Sequence, residues 1–131
     1  MAIIEVRGDW DIVINVSTLN KFNLKSLKLV EFLANDERCI LGQEVVERAE
    51  RMRPMLGKSD AEYILESAGK NGFRFPEVFG TFTWLFPGFQ VQGRHGNLKI
   101  LYLERRNGVL VPGFRNLIEQ FGNRCRIATL G

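Results

Sequence analysis

The sequence predicts an α+β fold: an antiparallel sheet of about five or six strands, with three helices inserted after the first strand and a fourth helix before the last strand. Two observations carry this prediction. Up to about residue 70 the apolar residues recur mainly with the helical period of 3.6, and from residue 81 they recur with the strand period of 2. The chain has 131 residues, a usual length for one domain, so we expect residues 1–131 to form a single domain.

The first half begins with a strand and continues with three helical patterns. Residues 12–16 are apolar at almost every position and rich in β-branched side chains, which predicts an interior strand covered on both faces. Residues 3–6 favour another strand before it. Stripes of apolar residues then predict helices over residues 24–34, 41–53 and 59–69, and the third begins with a capping box from Ser59 to Glu62.

Residues 81–111 have the pattern of an antiparallel meander. Pro87 and Gly88 indicate a turn inside it, because proline and glycine interrupt regular strands. Asn107 and Gly108 stand between two apolar segments, and this pair strongly favours a two-residue hairpin turn in which both residues take positive φ.

The last part of the chain predicts a short helix and then a strand. Apolar residues over 114–121 recur at helical spacing, and residues 124–130 alternate. Cys125 shares one strand face with Ile127, which favours a buried structural thiol. The other cysteine is Cys39, and no export signal opens the chain, so we expect two reduced thiols and a cytoplasmic protein without a membrane partner.

The charges are unevenly divided between the two halves. Residues 1–70 carry 10 Lys or Arg and 12 Asp or Glu, a net charge of −2, whereas residues 71–131 carry 8 and 3, a net charge of +5. Seven of the eight later cations are arginines, whose guanidinium groups suit phosphates and base planes. This asymmetry favours an acidic partner such as RNA or DNA, bound mainly through charge neutralisation.

The preferred hypothesis is therefore a small nucleic-acid-binding or regulatory protein that is not an enzyme. A winged-helix arrangement agrees with three helices and a hairpin, but the third predicted helix carries Asp60, Glu62 and Glu66, which phosphates would repel. The sequence contains no recognised RNA-binding consensus, so the predicted binding site is based on the distribution of charge alone. The predicted nucleic-acid contacts are Arg94, Arg105, Arg106, Arg124 and Arg126.

A first alternative is a non-catalytic protein-interaction module that forms a homodimer through loop phenylalanines. Aromatic residues and arginine are enriched at protein interfaces. Several phenylalanines stand in loop-like sequence near prolines and glycines, and these are Phe73, Phe75, Phe79, Phe86 and Phe89. Salt separates the two hypotheses, because phosphate binding weakens steeply with salt whereas an apolar interface does not.

A second alternative is a small enzyme that acts on a phosphorylated or nucleic-acid substrate. His95 is the only histidine and stands in the glycine-rich segment 93–97, whose amides could form an anion-binding nest. A catalytic histidine needs a partner, and the fold could bring Asp11, Glu77 or Glu104 beside it. Asp9 and Asp11 alone are too few for a metal site, so no metal or cofactor is predicted.

Overall fold

The computed structural model describes residues 3–16, 22–52 and 54–131, which form mixed α and β structure. Two α-helices and eight strands lie in these residues. The strands are β1 (Asp11–Asn15), β2 (Leu27–Val30), β3 (Cys39–Leu41), β4 (Thr83–Gln92), β5 (Leu98–Arg106), β6 (Val109–Asn116), β7 (Gln120–Gly122) and β8 (Cys125–Leu130), and the helices are α1 (Gly42–Ala49) and α2 (Lys58–Gly69). Two short 3-10 helices cover Leu24–Ser26 and Glu77–Thr81.

A six-stranded sheet forms the centre of the fold: five of its strands lie in the order β2-β8-β4-β5-β6, and the sixth, β1, pairs with β4 outside this order. The long strand β4 has β8 beside its first half and β1 beside its second half. Strands β4, β5 and β6 form the expected antiparallel meander, but β8 runs parallel to β4. Strands β3 and β7 make a separate two-stranded sheet. The α+β class and the sheet of about six strands are therefore confirmed.

Both faces of the large sheet are covered, because side chains on successive strand residues point to opposite sides. On β5, Leu101 and Leu103 face the cluster that contains Ile64 of α2, whereas Ile100 faces the cluster that contains Val45 of α1. The structure is thus a three-layer arrangement with α2 on one side and α1 with the small sheet on the other. Its largest fully buried side chains include Trp84, Phe86, Phe89 and Phe121.

The prediction of three helices before the meander and one after it was wrong, and the first helix is replaced by a strand. Residues 24–26 form a 3-10 turn, capped by the Asn23 side chain, and β2 follows and pairs with β8. The apolar residues of this segment satisfy either period: Leu27 is buried and Leu29 is half-buried on the same face of β2. Pairing with β8, about a hundred residues away in the sequence, decides in favour of the strand.

The second and third predicted helices are present with slightly different ends. Helix α1 stops at Ala49, and α2 starts one residue before the expected position. The capping contact is also shifted, because the buried Asp60 carboxylate accepts a hydrogen bond from the Gly57 amide at 2.8 Å. Glu62, expected to make that contact, instead accepts from the Ile4 amide and from Lys58.

Pro87 and Gly88 do not make a turn; they lie within β4, where the pairing with β5 shifts in register. Gly88 is required because another part of the chain passes close to it. Its amide donates to the Leu56 carbonyl at 2.9 Å, and a Cβ atom at residue 88 would lie 2.7 Å from that oxygen. The expected turn at Asn107 and Gly108 is confirmed, with φ values of 51° and 78°.

The predicted fourth helix is also replaced by strand. Strand β6 continues to Asn116, and β7 begins at Gln120. The apparent helical stripe is divided between the two faces of the sheet: Phe114 packs against the α2-side cluster, whereas Leu117 and Phe121 belong to the α1-side cluster. Helical spacing therefore arose here from two strands joined by a turn.

The first predicted strand lies at an edge and not in the interior. Strand β1 pairs only with β4 among the described strands, and Ile12 and Val13 are 54% and 49% exposed. Residues 3–6 carry no strand, although Ile4 is buried in the core. Neither described helix has the length and apolar character needed to cross a bilayer.

Candidate nucleic-acid interface

The five predicted arginines lie at two opposite ends of the sheet. Arg94 is in the loop between β4 and β5, whereas Arg105 and Arg106 are the last two residues of β5. A strand advances about 3.3 Å per residue, so the length of β5 separates the two groups by roughly 25 Å. A single small ligand cannot contact both.

Four of the five arginines come together at the second end. Trp84 of β4 pairs with Leu103 of β5 and with Arg126 of β8, so the beginning of β8 and the end of β5 flank the same part of β4. We call this group the paired-arginine end, and its members are Arg105, Arg106, Arg124 and Arg126.

Three of these four arginines each lie close to a carboxylate. Arg105 lies 3.5 Å from Glu77, and Arg106 contacts Glu104. Arg126 is the most constrained, because its guanidinium bonds to Glu31 at 3.1 Å and stacks on the Phe82 ring at 4.3 Å. Its side chain is only 13% exposed. Arg124 is exposed. The arginines are thus gathered here, but most of their charge is balanced.

Arg94 belongs to a different group, a pocket of about 280 Å³ beside the loop of residues 93–97. We call it the hairpin-tip pocket. None of the ion pairs among the described residues involves Arg94. The charged and aromatic side chains on its walls are Arg7, Asp9, Trp10, Arg94, His95 and Lys99.

Trp10 contacts two of the three cations of the hairpin-tip pocket. Its half-buried indole packs edge-to-face on Phe114, with ring centroids 5.1 Å apart. The Lys99 ammonium lies 5.4 Å from the Trp10 ring centre and the Arg7 guanidinium 5.8 Å from it, within the range of cation–π attraction. Lys99 also donates to the neutral Asn116 amide oxygen at 2.6 Å, so that contact leaves its charge unbalanced.

The Asp9 carboxylate is the one negative side chain on the described walls of this pocket, and it lies 3.4 Å from Arg7. The balance of the walls is therefore positive. Sequence reasoning missed Arg7 and Trp10 because they precede the hairpin by more than eighty residues. The sequence signal that could have found them is that Arg7 and Trp10 flank the turn before β1.

His95 lies in this pocket, but two of its three expected partners lie elsewhere. Glu77 and Glu104 are at the paired-arginine end, where they contact Arg105 and Arg106. Asp11 is opposite Gln92 in the ladder between β1 and β4, and the carboxylate on the pocket wall is Asp9. His95 is exposed. The arrangement places a histidine among cations, which favours binding of an anion over acid–base catalysis.

The loop phenylalanines of the interaction hypothesis divide into core and partly exposed residues. Phe86 and Phe89 are fully buried in β4 and are not available to a partner. Phe75 and Phe79 are half-buried and pack edge-to-face on Trp84, with centroid distances of 5.4 and 5.8 Å. Phe73 in turn contacts Phe75 at 4.9 Å.

The two cysteines are free thiols in different surroundings. Cys39 is exposed, and Cys125 is buried on the strand face that it shares with Ile127. Burial raises the pKa of the Cys125 thiol above its ordinary value, which keeps it protonated and unreactive. The described residues contain no group of three or more His, Cys, Asp or Glu side chains placed to hold a metal ion.

Comparisons with known protein families, with curated proteins and with solved structures found no match to this chain.

Proposed function

We propose that the protein binds single-stranded nucleic acid, with a phosphate in the hairpin-tip pocket. The observation that carries the proposal is the set of three cations around one half-buried tryptophan, with a single carboxylate on the walls: Arg7, Lys99 and Arg94 beside Trp10. Cations for phosphate and an aromatic ring for bases are the two parts of a single-strand binding surface.

The availability of the charges favours this pocket over the paired-arginine end. A phosphate that approaches Arg94 displaces no carboxylate from it, whereas one that approaches Arg105 competes with Glu77. Exposed ion pairs are weak, commonly below about 1 kcal/mol, so the exposed members of the paired-arginine end can still contribute. Arg126 is excluded from that contribution because its charge is largely covered by Glu31 and Phe82.

Trp10 supports a nucleic acid over an isolated phosphate ion. Its indole lies on the pocket wall among the cations, where a base next to a bound phosphate can stack on it by displacing Lys99 or Arg7 from the ring. A polymer can also reach from Arg94 toward Arg105, Arg106 and Arg124, about 25 Å away along β5. Affinity should therefore rise with strand length until both ends of the sheet are engaged.

The test is fluorescence anisotropy with labelled single-stranded RNA, single-stranded DNA and duplex DNA, each titrated across a salt series. We expect binding at low salt that is tighter for about 12 nucleotides than for about 4, because a stacked strand of about 4 spans only about 14 Å. For the strand of about 4, with about three phosphates neutralised in the pocket, log K should fall with log salt at a slope of roughly −2, and the longer strand should give a steeper slope.

A matched pair of variants connects binding to the pocket. Arg94→Gln should weaken binding several-fold, whereas Arg106→Gln, which removes the same charge from a pair with Glu104, should have a smaller effect. The proposal is wrong if no polymer binds at low salt, or if affinity does not depend on salt.

A further inference from the structure

A second cavity lies about the length of β5 away from the hairpin-tip pocket and has different walls. It has a volume of about 360 Å³ and is bounded by the end of α2, by residues 73–77 and by the hairpin between β5 and β6. Its apolar lining includes Leu65, Ala68, Phe73, Phe75 and Leu110. The walls combine these apolar side chains with at least as much polar surface, which suits a ligand with an apolar body and a polar group.

Two arginines, Arg74 and Arg105, stand among these apolar walls. Arg105 shares a strand face with Leu101 and Leu103, which point toward α2, whereas Arg106 points to the other side of the sheet. The guanidinium of Arg105 lies directly over Gly80, since a Cβ atom at residue 80 would be 2.5 Å from its Nη1 atom. The absence of a side chain at Gly80 thus lets Arg105 lie against the backbone.

The carboxylate beside Arg105 is held loosely. Glu77 lies 3.5 Å from the Arg105 guanidinium, at the limit of a hydrogen bond, and its side chain is 94% exposed. A negatively charged ligand group can therefore replace Glu77 at small cost, since exposed pairs contribute little. Arg74 is exposed on the same cavity rim and supplies a second cation.

We propose that this cavity binds a small organic acid with an aromatic or aliphatic body. The carboxylate pairs with Arg105 and Arg74, because guanidinium groups bind carboxylates through two parallel hydrogen bonds. The body of the ligand packs against Phe73, Phe75 and Leu65, which it shields from water. A purely polar anion leaves these walls uncovered, and a neutral apolar molecule leaves the arginines unused.

The probe for this site is 8-anilino-1-naphthalenesulfonate, whose sulfonate stands in for the carboxylate, and the neutral N-phenyl-1-naphthylamine is its uncharged counterpart. We expect the anionic dye to bind more tightly than the neutral one. Replacing Arg105 by Gln should weaken the anionic dye about tenfold or more, because a hydrogen bond to a charged group is lost. The matched control is Arg106→Gln, which removes the same charge from the other face of β5 and should leave the affinity unchanged.

A second variant tests the cavity itself. Ala68→Leu keeps a good helix-forming residue in α2 and fills part of the cavity, so it should weaken both dyes. Amide chemical-shift changes on adding the anionic dye should be centred on Ala68, Phe73 and Arg105. The proposal is overturned if the dye does not bind, if Arg105→Gln and Arg106→Gln behave alike, if the neutral dye binds equally well, or if the shifts lie elsewhere. Oligonucleotide binding at Arg94 is measured separately and fails or succeeds independently.

Discussion

The two ends of the central sheet carry similar numbers of cations but hold them in different ways. At the paired-arginine end, Arg105, Arg106 and Arg126 each contact a carboxylate, and Arg126 is also stacked on Phe82. In the hairpin-tip pocket, Arg94 has no ion pair among the described residues, and Lys99 bonds to a neutral amide. The number of cations is therefore a poor guide to a binding surface, because the partners of those cations decide how much charge is available.

Reversing two charges in the hairpin-tip pocket should produce the largest effect. Arg94→Glu combined with Lys99→Glu should weaken single-strand binding at low salt by about 100-fold, because two phosphate contacts become repulsive. The measurement is the anisotropy titration described above. The matched control, Arg105→Glu with Arg106→Glu, changes the net charge equally and should cost less than about tenfold. Equal losses in the two double variants mean that total charge, and not the pocket, determines binding.

Removing the indole should have the next largest effect and separates bases from phosphates. Trp10→Leu keeps an apolar contact with Phe114 but removes the stacking ring. Stacking contributes about 1–3 kcal/mol per base, so we expect single-strand binding to weaken about tenfold. Inorganic polyphosphate, which has no bases, serves as the control and should bind equally well to both proteins. A parallel loss of polyphosphate affinity contradicts a stacking role.

Substitutions at Arg126 and Arg94 should rank in the opposite order when stability, and not binding, is measured. Arg126→Ala should reduce the free energy of unfolding by about 1–2 kcal/mol, because it removes the stacking on Phe82 and the bond to Glu31. Arg94→Ala should change it by less than about 0.5 kcal/mol, since the residue is exposed. Urea denaturation followed by circular dichroism measures both. If the two variants are equally stable, Arg126 is not held by the fold.

The ion pair between Arg48 and Glu37 has better hydrogen-bond geometry than the arginine–carboxylate pairs at the paired-arginine end of the sheet. Arg48 makes two hydrogen bonds to the Glu37 carboxylate, at 2.5 and 2.8 Å, and the Ala34 amide donates a further bond to it at 2.7 Å. The Arg48 hydrogen bonds, followed by that amide, lower the pKa of Glu37 from 4.5 to about 2. This pair also raises the pKa of Arg48.

The smallest effect is expected from the pH dependence of this pair. A carboxyl group with a lowered pKa stabilises the folded state above its ordinary pKa, and this contribution is lost as the pH falls from about 4.5 to about 2. Glu37→Gln should therefore be less stable than the natural protein at pH 6, and the difference should shrink in acid. Thermal unfolding between pH 2 and pH 6 tests this, with Glu77→Gln as the control. A difference that is constant across this range contradicts the assignment.

Local patterns predicted the parts of the fold that depend on neighbouring residues. Helix α2 formed where the apolar stripe predicted it, and the turn at Asn107 and Gly108 formed because both residues accept positive φ. The predictions failed where a segment satisfied two periods. Residues 24–34 and 114–121 have helical spacing, yet pairing with distant strands made both of them partly β-structure.

The candidate site was predicted only in part. Charge composition predicted Arg94, but Arg7 and Trp10 join it only because the segment before β1 lies beside the loop of residues 93–97. The same composition placed equal weight on Arg126, whose neutralisation by Glu31 depends on a contact between residues 95 positions apart. Likewise, the phenylalanines looked equivalent in sequence, but Phe86 and Phe89 are buried within β4, whereas Phe73 precedes the sheet and is only half-buried.

The sequence by itself determined the α+β class, two helices, the meander and the excess of cations in the second half. These features follow from periodicity, turn chemistry and composition, which act over a few residues. Only the tertiary structure decided which strands lie at the edges, that β8 runs parallel to β4, and which arginines keep an unbalanced charge. Those outcomes depend on contacts between distant residues, because pairing a strand or a charge requires a partner that the local sequence does not contain.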